Sequence, residues 1–442
     1  MSAIAWIALS SLAAWGWLSL GQGFFWRTDQ RLPTPAAPGP SALPGVPALP
    51  GAADTTGATG APGVTGAVGE PGGEPGGEPV GEPGRGESPW PSVAVVVPAR
   101  DEAGVLPESL PSLLAQVYPG PAGIYLVDDG SSDGTGALAR ELADRYGGLP
   151  LTVSSPGEPE PGWTGKLWAL RHGIALARGG PKDPEYLLLT DADIAHEPDS
   201  LRELVAAASG HRLDLVSQMA RLRVASGWEK LVVPAFVYFF AQLYPFRWIN
   251  RPGTRTAAAA GGCVLLRTDA AVRARVPESI RHAVIDDVTL AKAVQGSGGR
   301  IWLGLAERVD SIRPYPRLAD LWRMVARSAY AQLRHNPLLL LGTVAGLAVI
   351  YLAPPVALCA GLFGGDPDAG WLGLMAWAVM AGTYLPMLRY YRLSSWLAPL
   401  LPFTALLYLL MTVDSAVQHY RGRGAAWKGR TYARPGSEPR SR

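Results

Sequence analysis

This sequence has few cysteines and almost no net charge. The first argues against a disulfide-stabilised protein, and the second argues against a nucleic-acid-binding protein. Only Cys263 and Cys359 occur among the 442 residues, which argues against a disulfide framework and favours a reducing compartment. We predict that both are small buried hydrophobic side chains. The 39 Lys and Arg residues barely outnumber the 37 Asp and Glu residues. Since binding to a phosphate backbone normally requires a basic surface, nucleic acid is not expected as the main partner.

Charged side chains are absent from residues 1–26, and the apolar stretch 3–20 is nearly long enough to cross a bilayer. No Lys or Arg precedes this stretch, which disfavours a cleaved signal peptide. Arg27 and Arg31 follow it, so the positive-inside rule places the next residues in the cytoplasm. Residues 1–26 are therefore predicted to hold an N-terminal transmembrane helix.

Residues 27–91 are predicted to form a disordered linker, because from residue 33 they consist mainly of Pro, Gly, Ala and Glu. Five Gly-x-y triplets from Gly57 resemble collagen, but so few cannot hold a triple helix. Such a tether would let the next domain move relative to the membrane.

Strands alternate with helices from residue 92 onwards, which predicts an α/β domain with a mostly parallel, Rossmann-like sheet over residues 92–335. Apolar runs predict strands at 93–97, 124–127, 151–153 and 186–190. Helical periodicity predicts helices at 106–116, at 166–177 and after a cap at Ser131, Ser132 or Asp133. Ligands bind beyond the carboxyl ends of such strands.

Three polar clusters stand directly after predicted strands: PARDE (98–102), DDGSSDG (128–134) and DAD (191–193). The second cluster is not a calcium loop, because Arg140 occupies the position that requires a bidentate Glu. Its glycines do not follow the dinucleotide spacing, and no P-loop lysine is present. Asp191 and Asp193 are two residues apart on an extended segment, so both can face one hard cation or one ribose.

Two further motifs follow. Gly261 and Gly262 precede an apolar strand, where glycine allows close approach to a ligand or simply tight packing. Asp286 and Asp287 open a predicted helix, and the helix dipole alone would favour acids there.

Beyond residue 336 the chain is membrane-like, with apolar runs at 337–363, 371–388 and 396–413. We predict a membrane region at 336–418 and a basic tail at 419–442. Loop charges favour a cytoplasmic tail, yet three full crossings would leave it outside, so one run is expected to be re-entrant or interfacial. The aromatic stretch within residues 231–250 is either an interfacial helix pair or an ordinary core helix.

In this order, VVVPARDE, LVDDGSSDGT, GK (165–166), LLLTDADI, GGCVLLR and IDDVTLAKAV resemble the family-2 glycosyltransferases, which have a GT-A fold. The resemblance covers roughly residues 92–330. More narrowly, the chain is similar to the hopene-associated glycosyltransferases, relatives of ceramide glucosyltransferase. This similarity lies in the predicted membrane segments at both ends of the chain and in the stretch LVVPAFVYFFAQLYPFRWIN.

The resemblance implies a role for each matching residue. Asp287 would be the catalytic base, and Asp193 would bind a divalent metal, Mg²⁺ or Mn²⁺, on the donor diphosphate. Asp129 would contact the nucleotide base edge, while Asp128 would support the loop. The implied nucleotide-sugar residues are Pro98, Ala99, Glu102, Asp129, Lys166 and Asp191, and further candidates for the acceptor or diphosphate are Gly262, Asp286 and Arg327.

The function implied is that of a multi-pass enzyme in the cell (inner or plasma) membrane with a cytoplasmic catalytic domain. It would transfer a sugar, with inversion, from a nucleotide-sugar to a lipid acceptor, hopanoid-type lipids included. One alternative is a polysaccharide synthase, although Met324 and Ser328 replace the Gln or Arg and the Trp of the processive signature. A non-catalytic, nucleotide-binding membrane scaffold is the other alternative.

Overall fold

The computed structural model describes residues 1–33 and 90–421, together with the backbone of two short strands at 426–427 and 430–431. The predicted linker between residues 34 and 89 and most of the basic tail lie outside the described residues. The start of the predicted linker contacts the α/β domain. The carbonyl of Gln30 accepts a hydrogen bond from the amide of Leu305 at 2.9 Å, and its side chain accepts one from Asn250 at 3.0 Å.

From residue 93 to residue 190 the strands and helices alternate as the apolar patterns predict, and helices follow most of the later strands. In chain order they are α1 (Ala3–Leu20), β1 (Val93–Ala99), α2 (Leu106–Leu114), β2 (Ala122–Asp128), α3 (Thr135–Tyr146), β3 (Leu151–Ser154), α4 (Gly165–Arg178), β4 (Tyr186–Thr190), β5 (Ile194–His196), α5 (Ser200–Gly210), β6 (Leu215–Leu222), α6 (Gly227–Leu243), α7 (Phe246–Ile249), β7 (Cys263–Arg267), α8 (Thr268–Arg273), α9 (Asp286–Gly296), β8 (Ile301–Ser311), α10 (Leu318–Ala326), α11 (Ala329–Gln332), α12 (Pro337–Leu347), α13 (Ala353–Phe363), α14 (Pro367–Tyr390), α15 (Leu401–Tyr420), β9 (Ala426–Trp427) and β10 (Arg430–Thr431).

Eight strands form one mixed, mostly parallel sheet in the order β3-β2-β1-β4-β7-β6-β8-β5. The pairs β1–β2, β1–β4, β2–β3 and β6–β8 are parallel, whereas β7 runs antiparallel to both of its neighbours. The carboxyl ends of β1, β2 and β4 therefore meet at one edge, and the three polar clusters lie there. This confirms the predicted fold class.

The side chains of strand β1 show that helices cover both faces of the sheet. Val93, Val95 and Val97 belong to a core with α2, α3 and α5, whereas Ala94 and Val96 belong to a second core with α4, α6 and α9. Successive side chains of a strand point to opposite faces, so an uninterrupted apolar run requires two buried faces.

The aromatic stretch 231–250 forms α6 and α7, and it is a core element of the described structure. Tyr238 is fully buried, and its hydroxyl lies 2.7 Å from Thr383 Oγ1 of α14. The hydroxyl of Tyr408 on α15 donates to the carbonyl of Val232 at 3.1 Å. Of the two interpretations of this stretch, the core helix is therefore the one that its burial supports.

Within residues 1–33 and 90–421, four helical segments are long and apolar enough to cross a membrane: Ala3–Leu20, Pro337–Phe363, Pro367–Tyr390 and Ser395–Tyr420. The segment Pro337–Phe363 is continuous, with a π-helical turn at Ala348–Leu352 just before Pro354. Large apolar side chains stay exposed along these segments, including Phe363 (86% exposed) and Trp396 (87%). Such exposure is expected of side chains that face lipid.

The prediction for the two cysteines is half wrong. Cys263 is buried in β7, but Cys359 is exposed on α13. The reason is that α13 is apolar on all sides, so hydrophobic residues on its outer face have no protein core to enter.

Candidate active site

The loops that follow β1 and β2 are joined by hydrogen bonds to acidic and hydroxyl side chains. Asp128 Oδ1 accepts from the amide of Ser131 at 2.9 Å, as its predicted supporting role requires. Asp133 accepts from the amides of Ala103 (2.9 Å) and Thr135 (3.0 Å). Since their oxygen atoms accept hydrogen bonds from backbone N–H groups, these carboxylates hold the loops together.

The predicted cap of α3 is wrong by at least one residue. Gly134 is the N-cap, with φ of +83°, a left-handed conformation that glycine adopts without strain. Asp133 precedes the cap, and its carboxylate turns back to the amide of Thr135 at the first position of the helix.

Two predicted nucleotide-sugar residues lie below the surface of the site. Ala99 is fully buried, and its carbonyl accepts from the amide of Asp129 at 2.9 Å. The side chain of Asp129 is also fully buried, 3.6 Å from Arg100 Nη1.

Lys166, at the start of α4, joins two of the predicted acids. Its Nζ lies 2.8 Å from Asp191 Oδ1 and 3.1 Å from Asp286 Oδ2. Burial alone would lower the pKa of Lys166, but the two carboxylates raise it above its usual range, so the ammonium stays charged. Burial also raises the pKa of Asp191, and Lys166 offsets this only in part. Residues from three separate elements thus form one charged cluster.

Asp287 is fixed beside this cluster by the start of its own helix and by the turn before β7. Its Oδ1 accepts from the amide of Val288 at 2.7 Å, and its Oδ2 accepts from the amide of Gly261 at 3.0 Å. Burial and the adjacent Asp286 raise the pKa of Asp287 to about 6. A carboxylate with a pKa near neutrality is suited to general base catalysis.

The predicted Gly262 has a different environment from Gly261. Its carbonyl accepts from Thr190 Oγ1 at 2.8 Å, and a Cβ there would lie 3.0 Å from Ile194 Cδ1. Close packing therefore accounts for Gly262, whereas Gly261 contacts Asp287.

Asp193 and Glu102 share a partner that the sequence analysis missed. Arg313 Nε donates to Asp193 Oδ2 at 3.0 Å, and Arg313 Nη2 donates to both oxygens of Glu102 at 2.8 and 2.6 Å. Arg313 stands two residues after the end of β8, at the same kind of position as the three predicted clusters. The signal that could have identified Arg313 is a basic residue that follows an apolar strand. It was missed because β8 was not among the predicted strands.

A divalent metal fits these acids only together with a substrate. Among the residues that the structure describes, no three His, Cys, Asp or Glu side chains are grouped closely enough to hold a metal ion. Mg²⁺ commonly uses one or two carboxylates, substrate phosphates and water, and Asp191 and Asp193 can supply such a partial set. The donor set therefore agrees with a metal bound through a diphosphate.

One cleft of about 980 Å³ connects most of the predicted residues. Asp286 lines this cleft, whereas Asp287 lines a small adjoining cavity with Gly261, Pro98, Lys166 and Asp191. At the far end the cleft reaches the last turns of the apolar segment α15. Its lining includes Pro98, Glu102, Lys166, Asp191, Asp193, Asp286, Arg313, Met324, Arg327, Ser415, Gln418 and His419.

Comparisons with known proteins agree with this architecture. Residues 94–272 match the family model "Glycosyl transferase family 2". The polyprenol monophosphomannose synthase of Mycolicibacterium smegmatis is 34% identical over 135 residues, which cover 28% of this chain and 45% of that protein. The probable glycosyltransferase YdaM of Bacillus subtilis is 31% identical over 116 residues, or 26% of each chain. The matches thus span less than half of each of these relatives.

A solved structure shows that the likeness in fold extends further than the likeness in sequence. The mannosyltransferase PcManGT from Pyrobaculum calidifontis, in complex with GDP-Man and Mn²⁺, aligns over 92% of this chain and 99% of its own. The TM-score is 0.50 at 17% identity. Residues 94–272 of this chain therefore carry a glycosyl transferase family 2 domain, within a fold of the GT-A type.

Proposed function

We propose that this protein is a membrane-anchored, inverting glycosyltransferase that moves a sugar from a nucleotide-sugar to a lipid acceptor at the cytoplasmic face of the cell membrane. The observation that carries the proposal is the single cleft that joins Asp191 and Asp193 to Ser415, Gln418 and His419 of α15. A polar donor could bind at one end while a lipid headgroup enters from the membrane end.

The donor end contains groups suited to a nucleotide-sugar. Asp191 and Lys166 form a pair that can hydrogen-bond ribose or sugar hydroxyls. Asp193 would hold Mg²⁺ or Mn²⁺, which when bound neutralises charge on the departing diphosphate. The relative PcManGT was solved with GDP-Man and Mn²⁺, which supports this class of donor.

Asp287 would act as the general base. Its carboxylate takes the proton of an acceptor hydroxyl while that oxygen forms a bond to the anomeric carbon. The bond from the anomeric carbon to the diphosphate oxygen breaks at the same time, and the nucleoside diphosphate leaves with the electron pair. One such displacement inverts the anomeric centre. The amides of Gly261 and Val288 fix the carboxylate, which lowers the cost of aligning it.

The lipid acceptor is supported by the apolar helices and by the M. smegmatis relative, whose name specifies a polyprenol product. The resemblance to hopene-associated glycosyltransferases makes hopanoid-type lipids the first acceptors to test. Burial of α6 against α14 and α15 would hold the catalytic domain at a constant distance from the membrane.

The test is an activity assay on the full chain in lipid nanodiscs. Radiolabelled nucleotide-sugars are supplied one at a time with a bacterial lipid extract containing hopanoids, and with Mg²⁺ or Mn²⁺. We expect one glycolipid carrying a single sugar with inverted configuration, and none with Asp287→Asn. Absence of product and of nucleotide release across the donor panel would contradict the proposal; a ladder of products would indicate a polysaccharide synthase.

A further inference from the structure

Arg313 forms two ionic contacts in the cleft, one with Glu102 and one with the carboxylate assigned to the metal, Asp193. Its guanidinium lies between Glu102, which receives two hydrogen bonds of 2.8 and 2.6 Å, and Asp193, which receives one of 3.0 Å. The three side chains are mostly shielded from water, with exposures of 8% for Glu102, 13% for Asp193 and 25% for Arg313. Water therefore screens the contacts of Arg313 with Glu102 and Asp193 less than it screens the surface ion pairs of the chain.

The contact occupies one of the two carboxylate oxygens of Asp193 that a metal could use. Asp193 Oδ2 accepts from Arg313 and also from Ser311 Oγ at 3.2 Å. A divalent cation at this oxygen must displace the guanidinium or bind beside its positive charge. In the described part of the chain no third acid or histidine completes a metal site. Without further oxygen ligands, the metal competes poorly with Arg313.

A nucleoside diphosphate changes this competition. Its phosphate oxygens supply the ligands that the protein lacks, and they also offer the guanidinium a second anion. Arg313 lines the same cleft as Asp191 and Asp193. Glu102 keeps two of the three hydrogen bonds to Arg313, so the guanidinium can leave Asp193 and remain beside the diphosphate.

We propose that Arg313 is an internal counter-ion that blocks the metal carboxylate until the donor arrives. In the absence of donor, Arg313 neutralises Asp193 and excludes the divalent metal. When the diphosphate enters, Arg313 transfers its contact from Asp193 to the phosphate, and metal and donor bind together. This inference rests on the proposed donor class, but it concerns binding order and not turnover.

The test measures Mn²⁺ binding directly, by the loss of the free-ion signal in electron paramagnetic resonance, on the full chain in detergent. The metal is titrated alone and then with UDP, GDP, ADP, CDP or dTDP. For the wild type we expect weak binding of Mn²⁺ alone and binding at least about tenfold tighter with one of the nucleotides. For Arg313→Gln we expect Mn²⁺ alone to bind about tenfold more tightly than in the wild type, with a smaller effect of the nucleotide.

Controls separate this contact from general charge effects and from misfolding. Arg323 lines the same cleft and pairs with Asp320, so Arg323→Gln removes an equal charge and should leave Mn²⁺ binding unchanged. Arg313→Lys keeps the charge and should keep the dependence on nucleotide. If Arg313→Gln does not fold, the double variant Glu102→Gln/Arg313→Gln removes the unpaired acid and should show the same gain for Mn²⁺ alone.

Three results would overturn the inference. The first is equal Mn²⁺ affinity of the wild type with and without every nucleotide, and the second is a folded Arg313→Gln or double variant that binds Mn²⁺ alone no better than the wild type. The third is sugar transfer that proceeds fully in EDTA. In that case the proposed glycosyltransferase stands while the role of Arg313 fails, so the two proposals are tested separately.

Discussion

Two groups of carboxylates in this molecule have different kinds of partner. Asp128 and Asp133, the loop acids, accept hydrogen bonds from backbone amides of their own segment, and Asp133 also accepts one from the neighbouring loop. Asp191, Asp193 and Asp286 in the cleft instead face the side-chain cations Lys166 and Arg313. A backbone amide cannot move away without disrupting its loop, whereas a side-chain cation can rotate to another anion. The loop acids therefore build the site, and the cleft acids can exchange partners with a ligand.

Asp287 combines both properties. Backbone amides fix its two oxygens, as in the loop acids, but burial and Asp286 raise its pKa to about 6. It is thus held in place and remains able to take up a proton near neutral pH.

Replacement of Asp287 is expected to have the largest effect, and it tests whether this carboxylate takes part in the reaction as well as being held in place. Asp287→Asn should lower kcat by about 10²–10⁴-fold, because the amide cannot take the proton of the acceptor. Donor binding should persist, since the donor contacts are assigned to Lys166, Asp191 and Asp193, which line the cleft, and not to Asp287. Steady-state kinetics and nucleotide titration measure the two effects. Asp286→Asn is the matched control with a smaller expected loss; equal kcat for Asp287→Asn and the wild type would refute the assignment.

Removal of the metal carboxylate should have the next largest effect. Asp193→Ala is expected to weaken metal-dependent donor binding by about 10²-fold, because charge stabilisation by a bound metal amounts to several kcal/mol. Calorimetry with donor and Mn²⁺ measures it. Asp310→Ala is the control, since Asp310 pairs with Arg221 outside the cleft. Wild-type affinity in Asp193→Ala would assign the metal to other residues.

The pH dependence of kcat/KM distinguishes Asp287 from a carboxylate with an ordinary pKa. Because the pKa of Asp287 is raised to about 6, its carboxylate is ionised above that pH and protonated below it. We expect kcat/KM to be constant above this pH and to fall roughly tenfold per pH unit below it. Rates measured with one donor at saturating acceptor test this. A plateau that continues to about pH 4 would indicate a base with an ordinary pKa.

The smallest effect concerns a loop acid and should appear in stability alone. Asp133→Asn loses an acceptor for the amides of Ala103 and Thr135 and should lower the free energy of unfolding by about 1 kcal/mol, with kcat little changed. Thermal unfolding in detergent detects it. Glu141→Gln, in an exposed pair with Arg145, is the control and should change stability less. A large fall in kcat for Asp133→Asn would show that loop and cleft acids are not distinct.

Prediction from the sequence succeeded where the pattern is local. The strand at 186–190 coincides with β4, and Asp286 begins α9 as its position before an apolar helix indicated. The cap of α3 was assigned to the wrong residue, because Asp133, the residue before the Gly134 cap, also accepts a hydrogen bond from a helix amide, that of Thr135. Arg313 was overlooked because its partners, Glu102 and Asp193, are 211 and 120 residues away in sequence.

By itself, the sequence determined the fold class, the order of strands and helices from β1 to β4, and which acids stand at strand ends, because apolar periodicity and turn residues act over a few neighbouring positions. Only the tertiary structure decided which partner each acid has. Buried ion pairs such as Arg313 with Asp193 join distant segments, and no local pattern encodes their distance. The same holds for the aromatic helix α6, since contact with α14 and α15 buries it, and the composition of α6 alone was compatible with a membrane surface.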